Sequence, residues 1–314
     1  MNISYEHYRV FYYVAKLQSF TQAASALMNS QPNITRSIKN LEQELGCPLF
    51  TRSNRQVQLT PEGEALYRHV SIAFDQLQAG EEEIRFGKGL EGGILRIAAT
   101  EVALRTILLP VLKEYRALYP GVHIKLMNGS TPTAIANLQS GLADLAVVTA
   151  PFQTPGQIRK TVICPVQDAA VCGSGFADLA EKAITMAQLT QYPMISLSEQ
   201  SGTFRFYSQL FEEQGLVFQP DIEAATADQI LPMVKANLGI GFVSEAFLQE
   251  EVLGHSVWKL NLSEKIPLRS ISLLLPNDHP LGPAARALEK ELIGLAEAAH
   301  RPQRRTQCNS GSSS

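Results

Sequence analysis

The chain has no run of about 18 consecutive apolar residues, the least a helix needs to span a bilayer, so no membrane partner is expected. Its opening, "MNISYEHYRVFYYVAKL", carries charges inside the apolar stretch and lacks a small-residue cleavage site. That excludes a signal peptide and predicts a cytoplasmic protein. Cysteine is scarce: Cys47, Cys164, Cys172 and Cys308 show no C-x-x-C spacing. In a reducing compartment they read as free thiols, not as a disulfide framework or a zinc site. Catalytic signatures are missing too, with no G-x-S-x-G, no H-E-x-x-H and no P-loop lysine. The six histidines are scattered. No catalytic residue, metal or cofactor is expected, and the chain does not read as an enzyme. Nor is there a strong excess of charge: 27 Lys and Arg against 30 Asp and Glu give a net −3. A near-neutral total neither indicates nucleic acid nor excludes it, because a local basic patch can hide inside it.

The composition that remains, 45% hydrophobic and 18% charged over 314 residues, suits a soluble protein of two or three domains. In "YEHYRVFYYVAKLQS", Tyr8, Phe11, Tyr12 and Ala15 recur at helical spacing. "FTQAASALM" predicts a short helix capped by Thr21, with Ala23, Ala24 and Leu27 on one side. "SQPNITRSIKNLEQELG", residues 30–46, predicts a third helix with Ile34, Ile38, Leu41 and Leu45 facing a core. Pro32, Arg36, Lys39, Asn40 and Gln43 fall on the opposite side. Ser30 can cap this helix, and Pro32 is tolerated because a first-turn N–H has no intrahelical partner. Two short helices, a tight connection and a third helix make a helix-turn-helix pattern. "PLFTR" and "QVQLT", joined by "RSNR", read as a two-stranded wing.

A face of this kind suits DNA. Gln31 and Asn33 stand at the leading end of the third helix, where amides can pair with an adenine edge. Arg36 can reach a guanine edge or a phosphate, Lys39 suits a phosphate, and Arg52 and Arg55 flank the wing turn. The first 60 residues hold Arg9, Lys16, Arg36, Lys39, Arg52 and Arg55 against Glu6, Glu42 and Glu44, a locally basic segment in an acidic chain. The competing reading is a helical bundle whose polar face is merely solvated.

"TPEG" opens a fourth helix, capped by Thr60 with Pro61 at its first position. Leu66, Val70, Ala73, Leu77, Gly80 and Ile84 form a short heptad seam, which suits pairing of two chains or packing on the helix's own domain. Gly80 weakens the seam, and "FGKGLEGG" reads as a flexible linker. From residue 93 strand and helix patterns alternate: "ILRIAAT", "EVALRTILLPVLKEYRALYP" (kinked or split at Pro110), "HIKLMNG", "TPTAIANLQSG" and "LADLAVVTA". Further on, "PMISLSE", "TFRFYSQLFEEQG", "DIEAAT", "ADQILPMVKANLG", "IGFVSEAF" and "RSISLLLP" continue the alternation, which predicts parallel α/β lobes. The tail, 301–314, is basic, then Gly/Ser-rich, and reads as disordered.

Several motifs together resemble the LysR-type transcriptional regulators. They are Phe20, Thr21, Ala23 and Ala24; Ser30 to Pro32; Leu41, Glu42, Leu45, Gly46, Leu49, Phe50 and Arg52; and "LTPEG". The resemblance implies a multidomain chain: a winged helix-turn-helix over 1–60, a dimerising linker helix over 61–88, and a two-lobed α/β effector domain over 92–300, similar to periplasmic binding proteins. Lobe one would take 92–163 and 267–300 and lobe two 168–263, with crossover strands near 159–168 and 263–269 as a hinge. It implies a homodimer or homotetramer on double-stranded operator DNA, with Gln31, Pro32, Thr35, Arg36 and Arg52 as contacts. Asn33 stands where the family often has a small apolar residue or proline. It also implies a small-molecule effector held by strand-to-helix loops, here Thr100, Ser130, Thr131, Thr149, Ser201, Gly202, Thr203 and Thr226. Ser and Thr cap helices in any α/β protein, which is the competing explanation of these residues. A carboxylate effector is slightly favoured, although Glu101 beside Thr100 counts against an anion. Oxidant sensing by a Cys164–Cys172 pair is disfavoured, because their spacing suggests neighbouring strands. For 92–300 alone, a free-standing solute-binding protein is the rival, opposed by the missing export signal and the attached DNA module.

Overall fold

The structure is a computed structural model, and it describes residues 3–53, 56–86, 92–154, 156, 158–248, 256–277 and 280–300. The chain divides into two compact units, Met1–Arg85 and Phe86–Ser314. Arg55, most of the "FGKGLEGG" linker, Cys308 and the tail expected to be disordered lie outside the described residues.

In the first unit, α1 (Tyr5–Leu17) is capped by Ser4, whose Oγ accepts from the Glu6 N–H at 3.3 Å. The second helix, α2 (Phe20–Ala26), is capped by Ser19 and not by Thr21. Phe20 is buried and is itself the first helical residue, which moves the cap one place earlier and leaves Thr21 in the exposed first turn. In α3 (Gln31–Leu45), Ser30 Oγ accepts from the Asn33 N–H at 3.4 Å and Pro32 sits in the first turn. The helix stops at Gly46, which takes the left-handed φ of +73° that a side chain would strain. Ile34, Ile38 and Leu41 are buried against Val10, Phe11, Val14, Phe20, Ala23, Ala24 and Leu49, with Leu45 half-buried at the margin.

The wing is the antiparallel pair β1 (Phe50–Ser53) and β2 (Gln56–Leu59). Glu42 on α3 ties it down: Oε1 accepts from the backbone N–H groups of Leu49 at 2.8 Å and Phe50 at 3.3 Å. This gives the Leu-Glu and Leu-Phe motifs a physical reason, since a charged acceptor satisfies two donors at the start of the wing. Glu42→Gln keeps an acceptor but removes its charge, and is expected to cost about 1 kcal/mol in thermal unfolding. An unchanged midpoint would show the two contacts to be dispensable. Helix α4 (Pro61–Phe86) begins under Thr60, whose Oγ1 accepts from Gly63 N–H at 2.9 Å and donates to Pro48 O at 2.8 Å. The expected seam divides: Leu66 and Val70 pack into the unit's own core, while Leu77 and Ile84 are exposed.

The second unit contains two five-stranded sheets. The first orders its strands β4-β3-β5-β14-β6. These are β3 (Ile94–Ala99), β4 (His123–Asn128), β5 (Leu145–Thr149), β6 (Ile158–Val166) and β14 (Arg269–Pro276). The second sheet orders β10-β9-β11-β7-β12, from β7 (Asp168–Cys172), β9 (Met194–Leu197), β10 (Ile222–Ala224), β11 (Ile240–Ser244) and β12 (Trp258–Lys259). A small pair, β8 (Ala183–Ile184) and β13 (Asn261–Leu262), lies apart. In each large sheet three strands run parallel and the next is antiparallel: β14 on β5 in one, β7 on β11 in the other. The two sheets share one plan, and their antiparallel members are the strands by which the chain enters each lobe from the other.

The helices follow the strands. α5 (Glu101–Ala103) runs through a π-turn at Leu104–Leu108 into α6 (Leu109–Leu118), so the segment is split just before Pro110, where the wider turn accommodates the missing N–H. α7 (Thr131–Gln139), α8 (Met186–Leu189), α9 (Gly202–Glu212) and α10 (Ile230–Lys235) follow in order, and a helix at Pro283–His300 packs back on the first sheet.

Candidate functional site

On the first unit, Gln31, Pro32, Thr35, Arg36, Lys39, Asn40 and Gln43 line one shallow groove along α3. Steps of three and four residues put them on a single stripe, opposite the buried Ile34, Ile38 and Leu41. No acidic side chain lies among them. Asn40 and Gln43, polar but absent from the expected contacts, belong to the same stripe. Asn33 does not line this groove. Its Nδ2 donates to Asn29 Oδ1 at 2.9 Å, and that oxygen also accepts from the Ser30 N–H at 2.8 Å. The i, i+4 spacing of two asparagines was the available signal. Arg52 sits in β1 opposite Val57.

On the second unit, Thr100, Ser130, Thr131, Thr149, Ser201, Gly202, Thr203 and Thr226 all line one cleft of about 60 Å³ between the two lobes. Strand ends bring them there: Thr100 follows β3, Thr149 ends β5, and Ser130 and Ser201 open α7 and α9. The hydroxyls of Thr100 and Thr149 lie 2.9 Å apart, and the Thr131 hydroxyl donates to Thr149 O at 3.1 Å. Helix capping accounts for Ser130, which accepts from the Thr133 N–H, and for Ser201, which accepts from the Phe204 N–H. It does not account for Thr100 or Thr226, whose side chains make no cap bond. Gly202 packs tightly against lobe one, since a Cβ there would stand 2.5 Å from Pro151 O. Glu101 and Asn128 also line the cleft and hydrogen-bond to each other. Glu101, which the sequence marks as an obstacle to an anionic ligand, is thus part of the cleft wall.

Behind Thr203 lies a buried polar network. Arg269 Nη1 donates to Thr203 Oγ1 at 3.1 Å, and Nη2 lies 2.7 Å from Asp168 Oδ2. The Tyr207 hydroxyl donates to that same carboxylate oxygen at 2.5 Å. Burial, reinforced by the Asp168 charge, pushes the Tyr207 hydroxyl well above its ordinary range. Burial works against the Arg269 charge, but Asp168 and Tyr207 outweigh it and hold the guanidinium protonated. No sequence pattern announced this network, because its members are 168, 207 and 269 along the chain.

Cys164 lies in β6 and Cys172 in β7, strands that are consecutive in sequence but belong to different sheets, not neighbours as the spacing suggested. Both are free thiols. Burial raises the Cys164 pKa and pushes Cys172 up to about 11, which keeps both thiols protonated and poorly nucleophilic at neutral pH.

Comparison with known proteins bears on both units. Residues 5–64 match the family model for the "Bacterial regulatory helix-turn-helix protein, lysR family", and residues 88–310 match the "LysR substrate binding domain". The HTH-type transcriptional regulator CysB of Burkholderia cenocepacia is 29% identical over 301 residues, covering 89% of this chain and 94% of CysB. The HTH-type transcriptional activator CmpR of Synechocystis sp. is 28% identical over 247 residues, covering 77% of this chain and 79% of CmpR. Full-length CbnR, in a crystal structure complexed with its target DNA, shares the fold with a TM-score of 0.72 at 16% identity, over 94% of this chain and 99% of CbnR. Among the described residues no helix is long and apolar enough to cross a membrane. A helix-turn-helix and a substrate-binding domain matched on one chain leave the free-standing solute-binding reading unsupported, and the chain belongs to the LysR family of transcriptional regulators.

Proposed function

We propose that α3 reads an operator in the major groove and that a small ligand held between the lobes adjusts that reading. The stripe from Gln31 to Gln43 carries the proposal, because it is polar, carries two cations and no acid, and lines one groove. Gln31, Thr35 and Arg36 are assigned to base edges and Lys39 to phosphate, with Pro32 stiffening the leading turn and the wing arginines Arg52 and Arg55 on the backbone. Asn33, tied to Asn29, is assigned to holding the start of α3. CbnR is seen on its target DNA, which supports the same mode here. The exposed Leu77 and Ile84 support pairing of two chains through α4 in a homodimer, or a tetramer of two dimers. Two α3 helices would then meet grooves about one turn, roughly 34 Å, apart. The boundaries follow as 1–60 for reading, 61–88 for pairing and 92–300 for sensing, in a cytoplasmic protein without catalytic activity.

Ligand binding would favour one pre-existing lobe closure and so one arrangement of the DNA-reading heads. Selection of genomic fragments with the purified full chain should enrich a shared sequence, and failure to enrich any would refute operator reading. In a reporter strain carrying that sequence, Thr203→Val should blunt the ligand response while operator affinity is kept. A normal response would remove Thr203 from the cleft's working residues.

A further inference from the structure

Resting on the reading of the interlobe cleft as the ligand site, we infer that its ligand is a small zwitterion of the α-amino-acid type, with its ammonium group against Glu101 and its carboxylate against the start of α9. The cleft is electrically lopsided. Among the described residues lining it, Glu101 carries the only charge. Its Oε2 accepts from the neutral Asn128 amide, and no cation among the described residues pairs with it. Glu101 is half-buried, and a carboxylate lining the cleft with only a neutral donor on it favours a positive group on the ligand.

The opposite wall offers hydrogen-bond donors and, among the described residues lining it, no acid of its own. A guanidinium has donors only, so Thr203 Oγ1 must be the acceptor of the 3.1 Å bond from Arg269, and the Thr203 proton is left to donate elsewhere. The first-turn N–H groups of Gly202 and Thr203, at the start of the 11-residue α9, lie beyond the reach of their own helix's carbonyls. These donors favour a carboxylate on lobe two, while Arg269 behind them adds no net charge because Asp168 pairs with it at 2.7 Å. On lobe one, the start of α7 competes poorly for it: Pro132 has no N–H, and the Thr133 N–H is taken by Ser130. A simple anion would satisfy one wall and suffer repulsion from the other. A zwitterion satisfies both and draws the lobes together. The cavity of about 60 Å³ limits the ligand to a short side chain at this degree of closure.

Calorimetric titration of the full-length protein with each of the twenty proteinogenic L-amino acids, and with the des-amino and decarboxylated counterparts of the best binder, tests the inference. At least one amino acid should bind, and losing either charged group should weaken binding by about ten-fold or more. Glu101→Gln should weaken the amino acid by a similar factor and leave the des-amino acid unchanged or tighter. The comparison of ligands on the parent protein stands even if that variant folds poorly. Binding by no amino acid up to millimolar concentration would overturn the zwitterion. So would a des-amino acid that binds as well as its parent; loss of that binding in Thr203→Val would leave the cleft reading intact. Binding that survives both Glu101→Gln and Thr203→Val would overturn the cleft as well.

Discussion

Asp168→Ala is expected to destabilise the second unit by about 3–5 kcal/mol, the usual cost of leaving a buried charge without its partner. Asp168 opens β7 and Arg269 opens β14, the equivalent entering strands of two sheets built on one plan. Their 2.7 Å pair therefore joins the lobes at the crossover. Side-chain exposure is 4% for Arg269 and 0% for Asp168, so water cannot replace the lost carboxylate. Asp168 Oδ1 and Arg269 Nε already lack hydrogen-bond partners among the described residues, which makes the pair costly to bury even when intact. Its retention is better understood as fixing the lobe crossover than as raw stability. Asp168→Ala with Arg269→Met should recover most of the loss, since an apolar replacement of both partners is often neutral. Tyr207→Phe removes one of two donors to Asp168 Oδ2 and should cost about 1 kcal/mol. Urea unfolding of the full chain, followed by the fluorescence of Trp258 in the second unit, gives these values. A loss under about 1 kcal/mol for Asp168→Ala would mean that water reaches the guanidinium after all.

Two kinds of information separate what the sequence disclosed from what it concealed. Local chemistry was legible. Ser30 and Thr60 each cap a helix through an N–H three residues on, which is why both caps show in the sequence. The eight cleft residues were legible for a related reason: a strand end followed by a helix start points into the crevice wherever α/β units repeat. Thr21 was misassigned because the period of buried residues, set by Phe20, outranks the preference of a hydroxyl for a cap. The Asp168–Arg269–Tyr207 network and the Glu42 hold on the wing are non-local, and no spacing rule reaches them. The β6 and β7 strands look adjacent in sequence, yet the chain changes lobe between Val166 and Asp168. That change is decided by which sheet each strand can complete, a property of the assembled core.

Arg36→Ala should weaken operator binding by about 1–3 kcal/mol and flatten the preference at one base position, if the guanidinium pairs with a base edge as proposed. The reasoning starts from where the side chain is held. Arg36 lies one turn beyond Pro32 and between Thr35, Lys39 and Asn40 in the same groove, with no carboxylate among the described residues that line it. Its helix is fixed from beneath by Ile34, Ile38 and Leu41, so the register of Arg36 on DNA is set by the core and not by the groove. Lys39, one turn further on, carries a point charge suited to phosphate. Lys39→Ala should therefore weaken specific and random DNA alike and lower the salt slope by about 1. Asn33→Ala is the instructive contrast. Its amide is spent on Asn29, so the loss should fall on the stability of the first turn, with base preference unchanged. Binding isotherms on the operator, on single-base variants and on random duplex, each at two salt concentrations, separate the three outcomes. Equal weakening of all duplexes by Arg36→Ala would reduce Arg36 to a phosphate contact. A changed base preference in Asn33→Ala would mean that the Asn29 bond yields on DNA and that Asn33 joins the reading face.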